Sequence, residues 1–174
     1  MTTRYLICGS RTYDRHRTIA LVLDTAHRLT PDMHVIVGGA NGADTHAEQW
    51  AKQRGVHGDL YRAYWDTEGK AAGFNRNLRM LDHGKPDLVL AFVDKPLAES
   101  RGTAHTVSQA KARGLRCIVF GTELDGSHAD DGLWQVTHNN ICAGFEVEHG
   151  VATNVAPVLR QRLKWWRTKA VRVP

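Results

Sequence analysis

Short apolar runs alternate with stretches of helical spacing along the first two thirds of this chain, and that alternation restricts its folds more than any other feature. Arg4–Cys8 and His34–Val37 each break directly onto glycine, at Gly9 and at Gly38-Gly39. Asp87–Val93 is almost wholly apolar, as a strand covered on both faces should be, and Arg116–Phe120 is a further run. Between them, Asp14–Leu29 carries Ile19, Val22, Leu23, Ala26 and Leu29 on one helical face, with Pro31 marking its end. Ala43–Arg54 is closed by Gly55, Ala72–Leu81 by His83-Gly84-Lys85-Pro86, and Thr103–Arg113 by Gly114. Asp59–Tyr64 is a weaker third strand. Strands separated by helices need crossover connections. The expected fold is α/β, a Rossmann-like doubly wound, mostly parallel five-stranded sheet over residues 1–121.

Residues 122–174 form a C-terminal extension. Thr122–Gly132 is acidic and polar and reads as a loop, and Leu133–Val147 reads as short strands without a clear period. Val151–Val171 has near-helical apolar spacing at Val155, Leu159, Leu163, Trp166 and Ala170, so the extension ends in a basic amphipathic helix, regular from about Pro157. From Arg160 onward the chain carries six basic residues and no acid. The whole chain is +5, so the residues before Arg160 sum to −1. The basic character belongs to the tail, which weakens any reading of the domain as a nucleic-acid clamp. Trp165-Trp166 among those charges fits nucleic-acid stacking, docking of a partner subunit, or an apolar stripe laid on the domain with the charges left in water, and the helical spacing favours docking.

Of 174 residues, 42% are hydrophobic and 24% charged, an ordinary globular balance. Cys8, Cys117 and Cys142 are widely spaced, with no CxxC pair and no zinc-type cluster, and the first two sit in apolar runs as small buried hydrophobes. Reduced thiols, an N-terminus without a signal-peptide core and apolar runs too short to span a bilayer together make the expectation cytoplasmic, with no membrane partner.

Ligands of an open parallel sheet bind at the carboxyl ends of its strands. Three motifs fall on that edge. Gly9-Ser10-Arg11 follows the first strand, with a tight turn, a hydroxyl and a cation. Gly38-Gly39-Ala40-Asn41-Gly42-Ala43-Asp44 follows the second, where glycines can turn backbone N–H groups toward an anion at a helix start. Ser100-Arg101-Gly102-Thr103 is the matching turn after the fourth strand. Each alone is commonly a structural turn. Three on one edge point to a phosphorylated ligand. Arg76 and Asn77 should face the same edge, whereas Arg79 reads as a solvated helix face. Tyr64 and Trp65 could stack on a base or pack an edge. Asp44 and His46 diverge by roughly 200° on a helix, which argues against a shared metal. Asp44 fits a helix start that also accepts from a ribose hydroxyl. No metal and no cofactor are expected.

The order CGSR, GGANGAD, AGFNRNLRM and RGTAHTVSQAKARGL resembles the SLOG superfamily, most closely its YspA-like branch, over residues 4–120. The resemblance implies a Rossmann-like domain for nucleotides or nucleotide-derived signals. The superfamily includes LOG-type phosphoribohydrolases, the DNA-processing protein DprA and sensors of antiphage systems. In LOG enzymes an Arg in RKxxM and a Glu in PGGxGTxxE carry catalysis. Arg76-Asn77-Leu78-Arg79-Met80 is similar to the first element and puts Arg76 at the catalytic arginine. Arg101-Gly102-Thr103-Ala104-His105-Thr106 is similar to the second, but Thr106 stands where the glutamate would be. Hydrolysis would need a carboxylate or its substitute there, and His105, Asp44 and Glu99 are the substitutes at hand.

Two classes of function stand side by side, with Arg76 and His105 as candidate catalytic residues in the second. One is a sensor or sequestering protein binding a nucleotide or nucleotide-derived small molecule. The other is an enzyme that splits the N-glycosidic bond of a nucleoside 5′-monophosphate. A DprA-like association with DNA through the basic tail is a third, less favoured reading. Related folds often pair, so a homodimer or higher oligomer is the expected assembly.

Overall fold

The structure is a computed structural model of the chain and describes residues 2–121, 133–137, 147–148 and 151–152. In chain order the elements are β1 (Thr3–Gly9), α1 (His16–Leu29), β2 (Met33–Val37), α2 (Ala43–Arg54), β3 (Gly58–Leu60), α3 (Trp65–Glu68), α4 (Ala72–Asp82), β4 (Leu88–Phe92), α5 (Arg101–Ala112), β5 (Arg116–Gly121) and β6 (Leu133–Thr137). The sheet runs β3-β2-β1-β4-β5-β6 and every neighbouring pair is parallel. β7 (Val147–Glu148) and β8 (Val151–Ala152) form a separate antiparallel pair.

Side-chain alternation along the strands sorts the helices onto two faces. Tyr5 and Ile7 of β1, with Leu90 and Phe92 of β4, pack against Ile19, Leu23 and Trp50 of α1 and α2. Leu6 and Cys8, with Val89 and Ala91, pack against Met80 and Leu81 of α4 and Val107 of α5. All five residues of β4 are buried, as its unbroken apolar sequence requires. Phe92 stacks on Phe120 at 4.8 Å between ring centroids. The α/β, doubly wound, parallel reading of the sequence is the fold observed. Cys8 and Cys117 are free and buried, and burial pushes the Cys117 thiol up to about 12.

The boundaries depart from the sequence expectation in five places. β3 stops at Leu60 rather than Tyr64, because β2 ends at Val37 and beyond the Tyr61 N–H donating to Val37 O there is no strand left to pair with. The polar stretch after it holds the short helix α3 and a 3-10 turn, Gly69–Ala71, running into α4. α5 begins at Arg101, two residues early, with Ser100 flanking it. A sixth strand, Leu133–Thr137, pairs with β5 from Cys117↔Leu133 to Gly121↔Thr137, so the sheet continues beyond Gly121. Val151–Ala152 is strand; the rest of the C-terminal helix expected up to Val171, and Cys142, lie outside the described residues.

Two glycines admit the backbone crossing at the top of the sheet. A Cβ on Gly9 would fall 2.1 Å from Phe92 O, and one on Gly42 would fall 2.3 Å from Ser10 O at a φ of +76°. Gly55, at φ +66°, has nothing within 4 Å of its Cβ position. Gly55→Ala is therefore expected to cost only the left-handed backbone term, about 1–2 kcal/mol. Gly42→Ala adds a collision with backbone and should cost at least about 1 kcal/mol more. Chemical unfolding followed by circular dichroism measures both. Equal costs would mean that the two loops separate easily to admit a methyl group.

Candidate functional site at the β1–β4 edge

β1 and β4 are neighbours whose following helices leave to opposite faces of the sheet, α1 to one and α5 to the other. A crevice opens at such a switch point above the strand ends. Gly9 lets the first turn sit directly on β4, where the Ser10 N–H donates to Phe92 O at 2.9 Å. Ser10 is buried, its Oγ lies 3.3 Å from Ser100 Oγ, and Ser100 Oγ donates to Thr103 Oγ1 at 2.9 Å. A chain of hydroxyls thus joins the turn after β1 to the turn before α5.

That arrangement leaves the start of α5 without a side-chain cap. The Ser100 hydroxyl, which would ordinarily accept from the first-turn amides, is engaged with Thr103. The first-turn N–H groups point out of the helix end with its positive partial charge. A Cβ on Gly102 would meet nothing within 4 Å. The space is a cleft of about 680 Å³. Among the described residues, five cationic side chains line it, Arg11, Lys70, Arg76, Lys95 and Arg101, against two acids, Asp44 and Glu99. Trp65 and Phe74, 53% and 36% exposed, supply aromatic surface.

The second turn is used differently. The Asp44 carboxylate, 3% exposed, accepts from the amides of Gly38 at 3.0 Å and Ala40 at 3.4 Å. The N-terminus of α2 is likewise closed, with the Ala43 N–H directed at Ser10 O (3.4 Å) and Gly42 pressed against Arg11. Ala40 and Asp44 reach the cleft, but Gly38, Gly39, Asn41 and Gly42 do not line it. The reason is topological: β2 stands one strand away from the switch point, and its turn packs on the first loop. The internal carboxylate occupies the amides that a phosphate would have needed.

Arg76 and Asn77 form the cleft floor. The Arg76 guanidinium lies over Gly38, where any Cβ would strike it, and donates through Nη1 to Gly38 O and through Nε to Asn77 Oδ1 at 2.9 Å. Nη1 is 3.7 Å from Asp44 Oδ2. Asn77 Nδ2 donates to Gly102 O at 3.2 Å, so one polar relay runs from the second turn to the start of α5. His105 does not line the cleft. Its ring packs edge-on against Phe74 at 4.6 Å, its Nδ1 has no partner among the described residues, and burial holds its imidazole below the usual range. The hydroxyl of Thr106 donates to Gly102 O at 3.1 Å. Lys70, Lys95 and Phe74 are cleft residues that the motif reading missed. Lys95 follows β4 at the ligand-binding edge, and that placement alone could have found it. Lys70 and Phe74 arrive only through the fold of the α3–α4 segment.

Burial raises the Asp44 carboxyl from 3.8 to about 6, against the opposing pull of Arg76 and the two amides. A carboxyl held higher in the folded than in the unfolded chain binds its proton more tightly when folded. Its contribution to stability is present below about pH 4 and is lost as pH rises through about 6. Asp44→Asn keeps an oxygen acceptor for the amides and cannot titrate. The expected outcome is that thermal unfolding between pH 4 and 7 shows a falling component that Asp44→Asn removes, worth at most about 3 kcal/mol. An identical pH slope in the variant would show that the carboxyl titrates alike in both states.

Residues 3–67 match the family described as the YspA, cpYpsA-related SLOG family (YAcAr). The Gene 61 protein of Mycobacterium phage D29 is 41% identical over 124 residues, covering 68% of this chain and 96% of that protein. Among solved structures, DNA processing protein A (DprA) from Streptococcus pneumoniae superposes with a TM-score of 0.59 at 18% identity, over 84% of this chain. This chain spans 63% of that DprA chain, and the likeness concerns the fold alone. Matching motifs, the doubly wound parallel sheet and the near-complete coverage of the phage relative agree on one assignment: the chain belongs to the YspA, cpYpsA-related SLOG family.

Proposed function

We propose that the β1–β4 cleft binds a phosphorylated, nucleotide-derived small molecule, and that the domain acts as a sensor or sequestering protein for it. The observation that carries this reading is the meeting, in one cleft, of an uncapped helix start, a cationic surround and two exposed aromatic faces. An anion is stabilised at a helix start by unpaired amides and the helix dipole. A base gains by stacking on Trp65 or Phe74. The cleft volume lies within the range of small-molecule sites.

The positions of Arg76, Thr106 and His105 favour binding over hydrolysis. Arg76, the residue that resembles the LOG catalytic arginine, directs its donors inward to Gly38 and Asn77. Thr106, in the glutamate's place, has no carboxylate, and its hydroxyl is bonded to Gly102 O. His105 stands outside the cleft lining.

Calorimetric titration of the full chain with AMP, ADP and ADP-ribose tests the reading. Lys95→Ala and Arg101→Ala are each expected to weaken binding about threefold to tenfold, with less effect at high salt, because both side chains are exposed and screened. If none of the phosphorylated compounds binds, the reading falls. Free base released from AMP, detected by chromatography, would replace binding with hydrolysis. A single-stranded oligonucleotide that binds more tightly than every mononucleotide would favour a DNA-associated role.

A further inference from the structure

From Arg62 to Ala71 no residue is buried, although this stretch carries Trp65 and Lys70 to the mouth of the cleft. α3 has only four residues and the following 3-10 turn three, so neither brings an apolar face to the core. The hydrogen bonds from the Thr67 and Glu68 amides to Tyr64 O are internal to the segment and do not attach it. The chain turns from α3 into the 3-10 turn at Gly69, at φ +53°.

One side chain from α4 gathers the segment. The Arg79 guanidinium is bidentate on the Glu68 carboxylate, Nη1 on Oε1 and Nη2 on Oε2. Nη2 also donates to Arg62 O at 3.2 Å. The guanidinium carbon lies 4.5 Å from the centre of the Tyr64 ring, in cation–π range. Three points along the stretch, residues 62, 64 and 68, are thereby fixed to a helix whose other face packs Met80 and Leu81 into the core. The residue that reads in sequence as a solvated helix face is a half-buried clamp. An isolated exposed ion pair contributes little. A planar fork making a bidentate pair, a carbonyl contact and a ring contact together is another matter, above all in a segment with no buried residue, whose Trp65 ring only edges against Gly73 of α4.

We propose that Arg79 is a positioning residue that latches the Arg62–Ala71 segment onto α4, and so presents Trp65 to the nucleobase end of the ligand without touching the phosphate end. This rests on the nucleotide reading above for its ligand half only. The phosphate corner at Ser10, Ser100 and Gly102 is held by the turn after β1, the start of α5 and Asn77 of α4, and these hydrogen bonds involve neither Arg79 nor the Arg62–Ala71 segment.

The test uses the full chain and the variants Arg79→Ala, Glu68→Ala and the exchanged pair Glu68→Arg with Arg79→Glu. Without ligand, chymotrypsin cleavage at Tyr64 and Trp65, mapped by mass spectrometry, is expected to accelerate about tenfold in both single variants while the thermal midpoint barely moves. The exchanged pair should restore part of the protection. A wild-type cleavage rate in Arg79→Ala overturns the latch, whatever binds. AMP affinity in Arg79→Ala is expected to fall about tenfold, the loss of one base–aromatic stack, with inorganic pyrophosphate affinity falling clearly less, by no more than the exposed Lys70 charge contributes. Accelerated cleavage with unchanged AMP affinity overturns the role in base presentation, and an equal loss for both probes overturns its selectivity. A wild-type protein that binds neither probe removes the nucleotide reading itself, and the cleavage rates still decide the latch.

Discussion

Three backbone segments meet above the sheet with nothing larger than the Ala43 methyl between them, and the cleft exists because they can. Gly9 lies against Phe92 O of the neighbouring strand, and Gly42 lies against Ser10 O and Arg11 of the neighbouring loop. The Ser10 carbonyl answers both sides at once, accepting from Tyr13 in its own loop and facing the Ala43 amide at the start of α2. Because backbone packs on backbone there, the Ser10 hydroxyl is delivered to Ser100 across the switch point rather than to solvent. A methyl group at either glycine would push the first loop off the strand or off α2.

The buried Asp44–Arg76 pair is the second joint. An ionised carboxylate this deep is unfavourable unless its oxygens are met by donors. Here two turn amides donate to Oδ2, and the Arg76 guanidinium lies 3.7 Å from the same oxygen. Arg76 in turn holds Gly38 O and Asn77, and Asn77 holds Gly102 O. Motifs from three separate crossovers are thus one polar structure. This explains why a turn rich in glycine, after a strand and before a helix, does not offer its amides outward: it already has its anion.

The cleft divides into a rigid part and an attached part. Ser10, Ser100, Thr103 and Asn77 are at most 8% exposed and belong to elements with faces in the core. Trp65 and Lys70 belong to a stretch that has no core face and is held by polar contacts to Arg79. Opening free energies follow buried apolar contact, so the aromatic side of the cleft is the part able to adjust while the anion side stays fixed.

The order of apolar runs and helical stretches was enough, by itself, to determine the α/β parallel fold and the positions of β1, β2, β4, β5 and the long helices. Those elements are fixed by local pattern and by burial on two faces, both written in the residue types. The same pattern placed Ser10, Arg11, Arg76, Asn77, Arg101 and Thr103 on one sheet edge. Only the tertiary structure decided how that edge is used. Which amides face outward depends on strand order, which put the β2 turn one place away from the switch point. It also depends on Asp44, whose carboxylate could have faced a ligand or its own turn. β3 ended early because its neighbour did, and β6 joined the sheet from a stretch without a clear period. Arg79 has the spacing of a surface residue on α4, and only the path of the α3 segment across that surface gave it something to hold.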